Sequence, residues 1–277
     1  IVSRFGRDEP PAEVLSAFRG ENASGTWTLL VETRDNSATQ STLHSWGIEF
    51  FQDRQLTPRR ILLIACDYRN YIEAIDPFTH RPLYRLRTSG PYPVAVTINS
   101  GQSYGYASGF CNDNTLKIDE FELASGRRIR TFDLAEGTWK VNSLAVGNAD
   151  SVLIVSTDDN VHLIGLEPGG ERTVLPEEKI SGQPTSVSVH PDGQTAYIIG
   201  NRPEGAVWVI DIESKEVIET LSVAGSPNTL SFRPGEERGY LIHYTEENPC
   251  TVLDASDNTI EEIINLVHPG SNITVTS

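Results

Sequence analysis

Ser186-Val-Ser-Val189, the turn His190-Pro-Asp-Gly193, Ala196-Tyr-Ile-Ile199, Val207-Trp-Val-Ile-Asp211 and Val217-Ile-Glu-Thr-Leu221 form the stretch that decides the fold. Four short runs rich in β-branched and aromatic residues are separated by polar turns. No helical period links them, so each reads as a strand. Working outward, the first run recurs. It appears as Pro93-Val-Ala-Val-Thr-Ile98, Val141-Asn-Ser-Leu-Ala-Val146, Pro184-Thr-Ser-Val-Ser-Val189, Pro227-Asn-Thr-Leu-Ser-Phe232 and Gly270-Ser-Asn-Ile-Thr-Val275. The starts at 93, 141, 184, 227 and 270 stand 48, 43, 43 and 43 residues apart.

Four strands in each repeat of 43 residues is the pattern of a β-propeller blade. A sandwich of the same strands is the alternative. The first unit, Ile61-Leu-Leu-Ile-Ala65 through Leu83-Tyr-Arg-Leu86, has strands two to four but no first strand. The last unit, from Gly270, has a first strand and then the chain stops. A terminal strand that completes the opening blade would close a ring of five and remove its exposed edges. A fragment of a larger ring fits the same repeats, and both readings stand.

The chain has 277 residues, 38% hydrophobic and 22% charged, with a net charge of −16. That length holds two domains: 1–56 and the repeat region 57–277. No apolar run is long enough to span a bilayer, so no membrane insertion is expected. The acidic charge disfavours nucleic acid and leaves cations, basic protein partners or plain solubility. The chain lacks Met and a signal peptide and reads as a piece of a longer precursor. Cys66, Cys111 and Cys250 make at most one disulfide. Cys66 and Cys111 occupy the same loop of consecutive units, with free thiols favoured over a bridge because equivalent blade positions are usually too far apart. Sequons stand at Asn22 and Asn272.

In the first segment, Trp27, Leu29 and Val31 alternate on one strand, and Trp46, Ile48 and Phe50 on another. These six are expected to share a sandwich core. The run Phe18-Arg-Gly-Glu-Asn-Ala-Ser-Gly-Thr-Trp-Thr-Leu-Leu-Val31, followed by Leu43-His-Ser-Trp-Gly-Ile-Glu-Phe50, resembles the closing half of a P domain. That domain is the jelly-roll sandwich that follows the catalytic domain in kexin- and furin-type proteases. The earlier strands of the domain are missing here, and no catalytic residue transfers. The resemblance implies a secreted, multidomain protein. The His-Pro-Asp-Gly turn and the Val-Ile-Asp strand ending of the repeats resemble the YVTN family, which includes lactonase-like and surface-layer propellers. This likeness implies a fold and leaves the activity open.

The catalytic inventory is empty. The six His, at 44, 80, 162, 190, 243 and 268, share no metal-ligand spacing. Nucleophile elbows, phosphate loops and haem-attachment motifs are absent. His190 reads as a turn residue and His162 as part of a third strand. No catalytic or cofactor-binding residue is therefore expected.

The loops between second and third strands carry the remaining signal. They read Cys66-Asp-Tyr-Arg-Asn70, Cys111-Asn-Asp-Asn114, Asp158-Asp-Asn160, Asn201-Arg-Pro-Glu-Gly205 and Thr245-Glu-Glu-Asn-Pro249. Repeated connectivity should bring Asp67, Asp113, Asp158, Asp159, Glu204, Glu246 and Glu247 to one face as a partner-binding rim. Asp158-Asp159-Asn160 is the densest cluster and the candidate cation site, since hard oxygen donors suit calcium. A tight site takes about six oxygens or more, which no single loop supplies. Weak calcium binding or docking of a basic partner is expected, without a structural metal. The leading reading is a non-catalytic extracellular binding, adhesion or scaffold module. A lactonase-like hydrolase, or the accessory region of a secreted subtilisin-like protease, is the alternative.

Overall fold

The computed structural model describes residues 61–66, 69–110, 116–134, 140–175, 179–180, 182–200, 205–223, 225–245, 250–266 and 273. All fall in the second of the two compact units into which the chain divides, Arg60–Ser277. The expected core of Trp27, Leu29, Val31, Trp46, Ile48 and Phe50 lies outside the described residues, as do Asp67, Cys111, Asp113, Glu204, Glu246 and Glu247. So does the terminal run 270–275, apart from Ile273.

Every element among the described residues is a strand, and the strands form five successive antiparallel sheets. The first sheet holds β1 (Leu62–Ala65), β2 (Tyr71–Asp76) and β3 (Arg81–Arg87). The second holds β4 (Val96–Ile98), β5 (Tyr104–Phe110), β6 (Leu116–Glu122) and β7 (Arg127–Asp133). The third holds β8 (Val141–Gly147), β9 (Val152–Thr157), β10 (Val161–Gly165) and β11 (Arg172–Leu175). The fourth holds β12 (Pro184–Val189), β13 (Thr195–Gly200), β14 (Ala206–Asp211) and β15 (Glu216–Ser222). The fifth holds β16 (Pro227–Phe232), β17 (Arg238–His243), β18 (Cys250–Asp254) and β19 (Thr259–Ile264). As the repeat predicts, the first sheet has three strands and the rest four.

The first strands line up: β8 packs beside β4 and β12, and β12 beside β16. This is the propeller-type arrangement, with first strands innermost and last strands outermost. Burial follows. β9 is buried along its whole length, while β15 is mostly exposed. Among the described residues, no strand of the fifth sheet packs extensively on the first.

Four apolar clusters fill the four junctions between consecutive sheets. Alternation along β9 shows how one strand serves two of them. Leu153 and Val155 join the cluster shared with the second sheet, while Val152 and Ile154 join the one shared with the fourth. Period 2 on a fully buried strand thus gives two apolar faces. Trp208 on β14 is buried in the junction of the third and fourth sheets, directly over Gly200. A Cβ at Gly200 would overlap the indole Cη2 and Cζ3, so the backbone must be bare there.

The Ile-Asp and Leu-Asp strand endings have a local cause. Asp76 Oδ1 accepts the N–H groups of Phe78 and Thr79, Asp211 Oδ1 that of Ser214, and Asp254 Oδ1 that of Ser256. Each carboxylate caps the turn into the last strand. A register shift recurs just ahead of these turns, at Ala74/Ile75, Glu120/Phe121, Val209/Ile210 and Val252/Leu253. Such bulges sharpen the twist that a blade needs. β4 is shorter than the sequence suggests and starts only at Val96. Just ahead of it the Ala95 N–H donates to Ser108 Oγ at 3.1 Å.

Candidate functional site

The turns between first and second strands meet one another at one end of the sheet stack. In the third sheet this turn carries Asp150, whose carboxylate reaches the matching turn of the second sheet. It accepts bonds from Asn99 Nδ2 (2.9 Å), Ser100 N (2.8 Å), Ser100 Oγ (2.9 Å) and Gly101 N (3.1 Å). Partial burial would raise the Asp150 pKa, but the Ser100 and Gly101 N–H groups, the Ser100 hydroxyl and the Asn99 amide together hold it below the usual carboxylate value. The Asn148 N–H donates to Gly193 O and continues the stitching to the fourth sheet. A shallow depression at this end, about 190 Å³, is lined by Asn148, Ser151, Glu167, Ile212, Glu213 and Lys215. Ligand pockets usually run from about 300 Å³ upward, so this is no substrate cleft.

Because like turns meet at that end, β9 runs from it to the opposite end of the third sheet. There the Thr157–Asn160 turn is built tightly. Thr157 N and Oγ1 both donate to Asn160 O at 2.9 Å, and Asn160 N donates to Thr157 Oγ1 at 3.0 Å. Asp158 is half-buried, and its Oδ1 accepts from Asn142 Nδ2 at 3.1 Å and from Gln183 Nε2 at 3.5 Å. Asn142 also donates to Pro184 O at 2.8 Å, so this carboxylate ties the third sheet to the entry of the fourth. Asp159 is exposed and Asn160 half-buried. Of the cation triplet, only the Asp159 carboxylate stands clear of the network. Among the described residues, no three His, Cys, Asp or Glu are grouped to hold a metal ion.

Sequence reasoning missed Asn142 and Gln183, which orient Asp158. A signal existed: the second residue of the first strand is polar in successive repeats, as Asn142, Thr185 and Asn228. It also missed Asp150, which lies outside every loop that the repeat singles out. Cys66 carries a free thiol that donates to Ile64 O at 3.6 Å, as expected, and Cys250 is free and buried, its pKa raised by that burial. His162 lies in a third strand and His190 in a tight turn, as read. No described helix is long and apolar enough to cross a membrane.

The proprotein convertase P-domain model matches residues 7–50, in line with the resemblance read from the Gly-Thr-Trp and Ser-Trp pairs. No curated protein matches the chain. Among solved structures, the hydrazine synthase of Kuenenia stuttgartiensis is similar at 17% identity and a TM-score of 0.62, over 69% of this chain and 67% of that one. A functionally unknown protein from Desulfotomaculum acetoxidans DSM 771 is similar at 11% identity and a TM-score of 0.59, over 73% of this chain and 65% of that one. At such identities the likeness shows the fold alone.

Proposed function

We propose that this chain is a non-catalytic extracellular module, serving partner binding, adhesion or scaffolding within a larger secreted or surface protein. The observation that carries this reading is the P-domain match at residues 7–50, directly ahead of a blade array. P domains are at home in secreted proteases, which supports an extracellular setting. The same match favours a second reading, in which the chain is the accessory region of a secreted subtilisin-like protease. A protease domain encoded in the same polypeptide decides between them. The YVTN likeness supports the blade repeat and names no reaction.

In the first reading the end carrying Asp158 and Asp159 faces the partner. A net charge of −16 favours a Lys- or Arg-rich segment and disfavours nucleic acid. Calcium would bind weakly, since Asp158 is already engaged by Asn142 and Gln183. The test is titration calorimetry of the full chain and of an Asp158→Asn/Asp159→Asn variant, with calcium and with a Lys/Arg-rich peptide, at low and at physiological salt. The reading expects weaker binding by the variant and a loss with salt. Equal binding by both proteins, or none by either, removes the recognition role.

A further inference from the structure

The turns that stitch consecutive sheets together are built on one plan but differ in the group at their first position. That position is Asn99 in the second sheet, His190 in the fourth and Arg233 in the fifth. Each opens a turn closed by a backbone bond: Asn99 N to Tyr104 O, His190 N to Thr195 O and Arg233 N to Arg238 O. Asn99 is neutral and binds Asp150 of the next sheet at any ordinary pH. Arg233 is always charged, and its Nη1 pairs with Glu236 at 2.8 Å within its own turn. His190 alone can change its charge, because imidazoles take up a proton between about pH 8 and 5.

The His190 ring is 7% exposed and sits between two sheets. It meets Phe232 of β16 edge-on, with centroids 5.1 Å apart and planes at 89°. Its Nε2 lies 3.0 Å from Glu237 Oε2, on the turn of the fifth sheet. That approach is off the direction of a hydrogen bond. With Nδ1 accepting, the neutral ring carries its proton on Nε2 and meets Glu237 only through this misaligned N–H, whereas an imidazolium adds a Coulomb attraction that water screens. On the other side, Nδ1 lies 3.4 Å from the Asp192 N–H, a donor, and 3.2 Å from Asp192 Oδ2, an acceptor. A neutral Nδ1 accepts the first, and a protonated one donates to the second. The site is therefore furnished for both forms but holds the charged one with two carboxylates.

We propose that His190 is an acid-tightened latch between the fourth and fifth sheets, which grips Glu237 across the junction when the ring is protonated and holds it more loosely when neutral. The charged and titratable groups around it are few. Asp192 comes from its own turn, and Glu237 with the Arg233–Glu236 pair from the turn of the fifth sheet. Tyr197 of β13 packs on the same Phe232 and feels the charges of Asp192, Glu237, Glu219 and Asp254. Asp192 and Glu237 are 43% and 57% exposed, so water screens the pairing and the grip is modest.

The test is amide exchange across residues 233–237 in the full chain, corrected for intrinsic rates, at pH 5.5 and 8.5. It is run on the wild type, His190→Gln, Glu237→Gln and the double variant. Wild-type exchange should slow by about two- to five-fold at pH 5.5, the range of an exposed ion pair. Glu237→Gln should abolish that slowing, and in the His190→Gln background it should change nothing at either pH. Should His190→Gln fail to fold, Glu237→Gln decides alone, since an exposed turn carboxylate tolerates the change. Equal slowing in wild type and Glu237→Gln, or a Glu237→Gln effect that persists without His190, overturns the latch.

Discussion

Replacing His162 with Leu should stabilise the protein in acid far more than at neutral pH. His162 sits on β10, 1% exposed, and neither ring nitrogen finds a partner among the described residues. It pairs in register with Val155, on the apolar face turned to the second sheet. Burial first, and then the nearby Arg172 charge, push its pKa down to about 4 from 6.5. The unfolded chain therefore binds this proton before the folded one does. Stability is unaffected above pH 6.5 and falls as pH drops from there through about 4. At pH 4.5 the loss from this group amounts to roughly 2.5 kcal/mol, taking ~1.4 kcal/mol for each pH unit. Leu has a similar volume and no proton to bind, so its variant escapes that loss. At pH 7.5 it should match or exceed the wild type, because two orphaned nitrogens, worth about 1–3 kcal/mol when buried unpaired, are removed. Urea unfolding of both proteins at the two pH values measures the difference, and titrations elsewhere in the chain cancel. If wild type and His162→Leu lose the same stability between pH 7.5 and 4.5, His162 is not held neutral in the junction and the packing described for the second and third sheets is wrong.

Asp150→Asn should cost about 1–2 kcal/mol at pH 7, since a charged acceptor of four bonds becomes a neutral one. Because the folded Asp150 pKa is lowered, that contribution is present above the ordinary carboxylate value and disappears as pH falls through the lowered one. The gap between the unfolding curves should close in strong acid, and a gap constant down to pH 2 would sink the clamp. Gly200→Ala should lower stability by about 1–3 kcal/mol as its methyl group drives into Trp208, read by thermal unfolding. A loss below about 0.5 kcal/mol would mean that the indole does not cover that backbone.

The strands were legible because their signals are local. Val207-Trp-Val-Ile-Asp211 is a short, continuous apolar run bounded by turn residues, and it returns 43 residues later as Cys250-Thr-Val-Leu-Asp254. The missing first strand of the opening sheet followed from counting alone. The Asp that ends these strands was visible as a motif, while its purpose needed the turn geometry, in which Oδ1 caps Ser214 or Ser256. Asp150 was not legible. Its partners Asn99, Ser100 and Gly101 lie some 50 residues away, and nothing nearby marks it out from any other turn carboxylate. Asp158 was found for its charge, yet Asn142 and Gln183 turn that charge inward. Spacing places a residue on a loop, but it does not say which lone pairs are already taken.

The proposed face is tested most directly by an exchange footprint of a bound cationic peptide. The full chain is mixed with a Lys/Arg-rich peptide at low salt, and amide exchange is followed along the whole repeat region. Protection is predicted in the connections after the second strands, around 66–70, 111–115, 158–160, 201–205 and 245–249. The turns at the opposite end, around 99–103, 148–151 and 190–194, should exchange as before. Protection confined to those opposite turns, or none anywhere at saturating peptide, would contradict a recognition face built on Asp158, Asp159 and their counterparts.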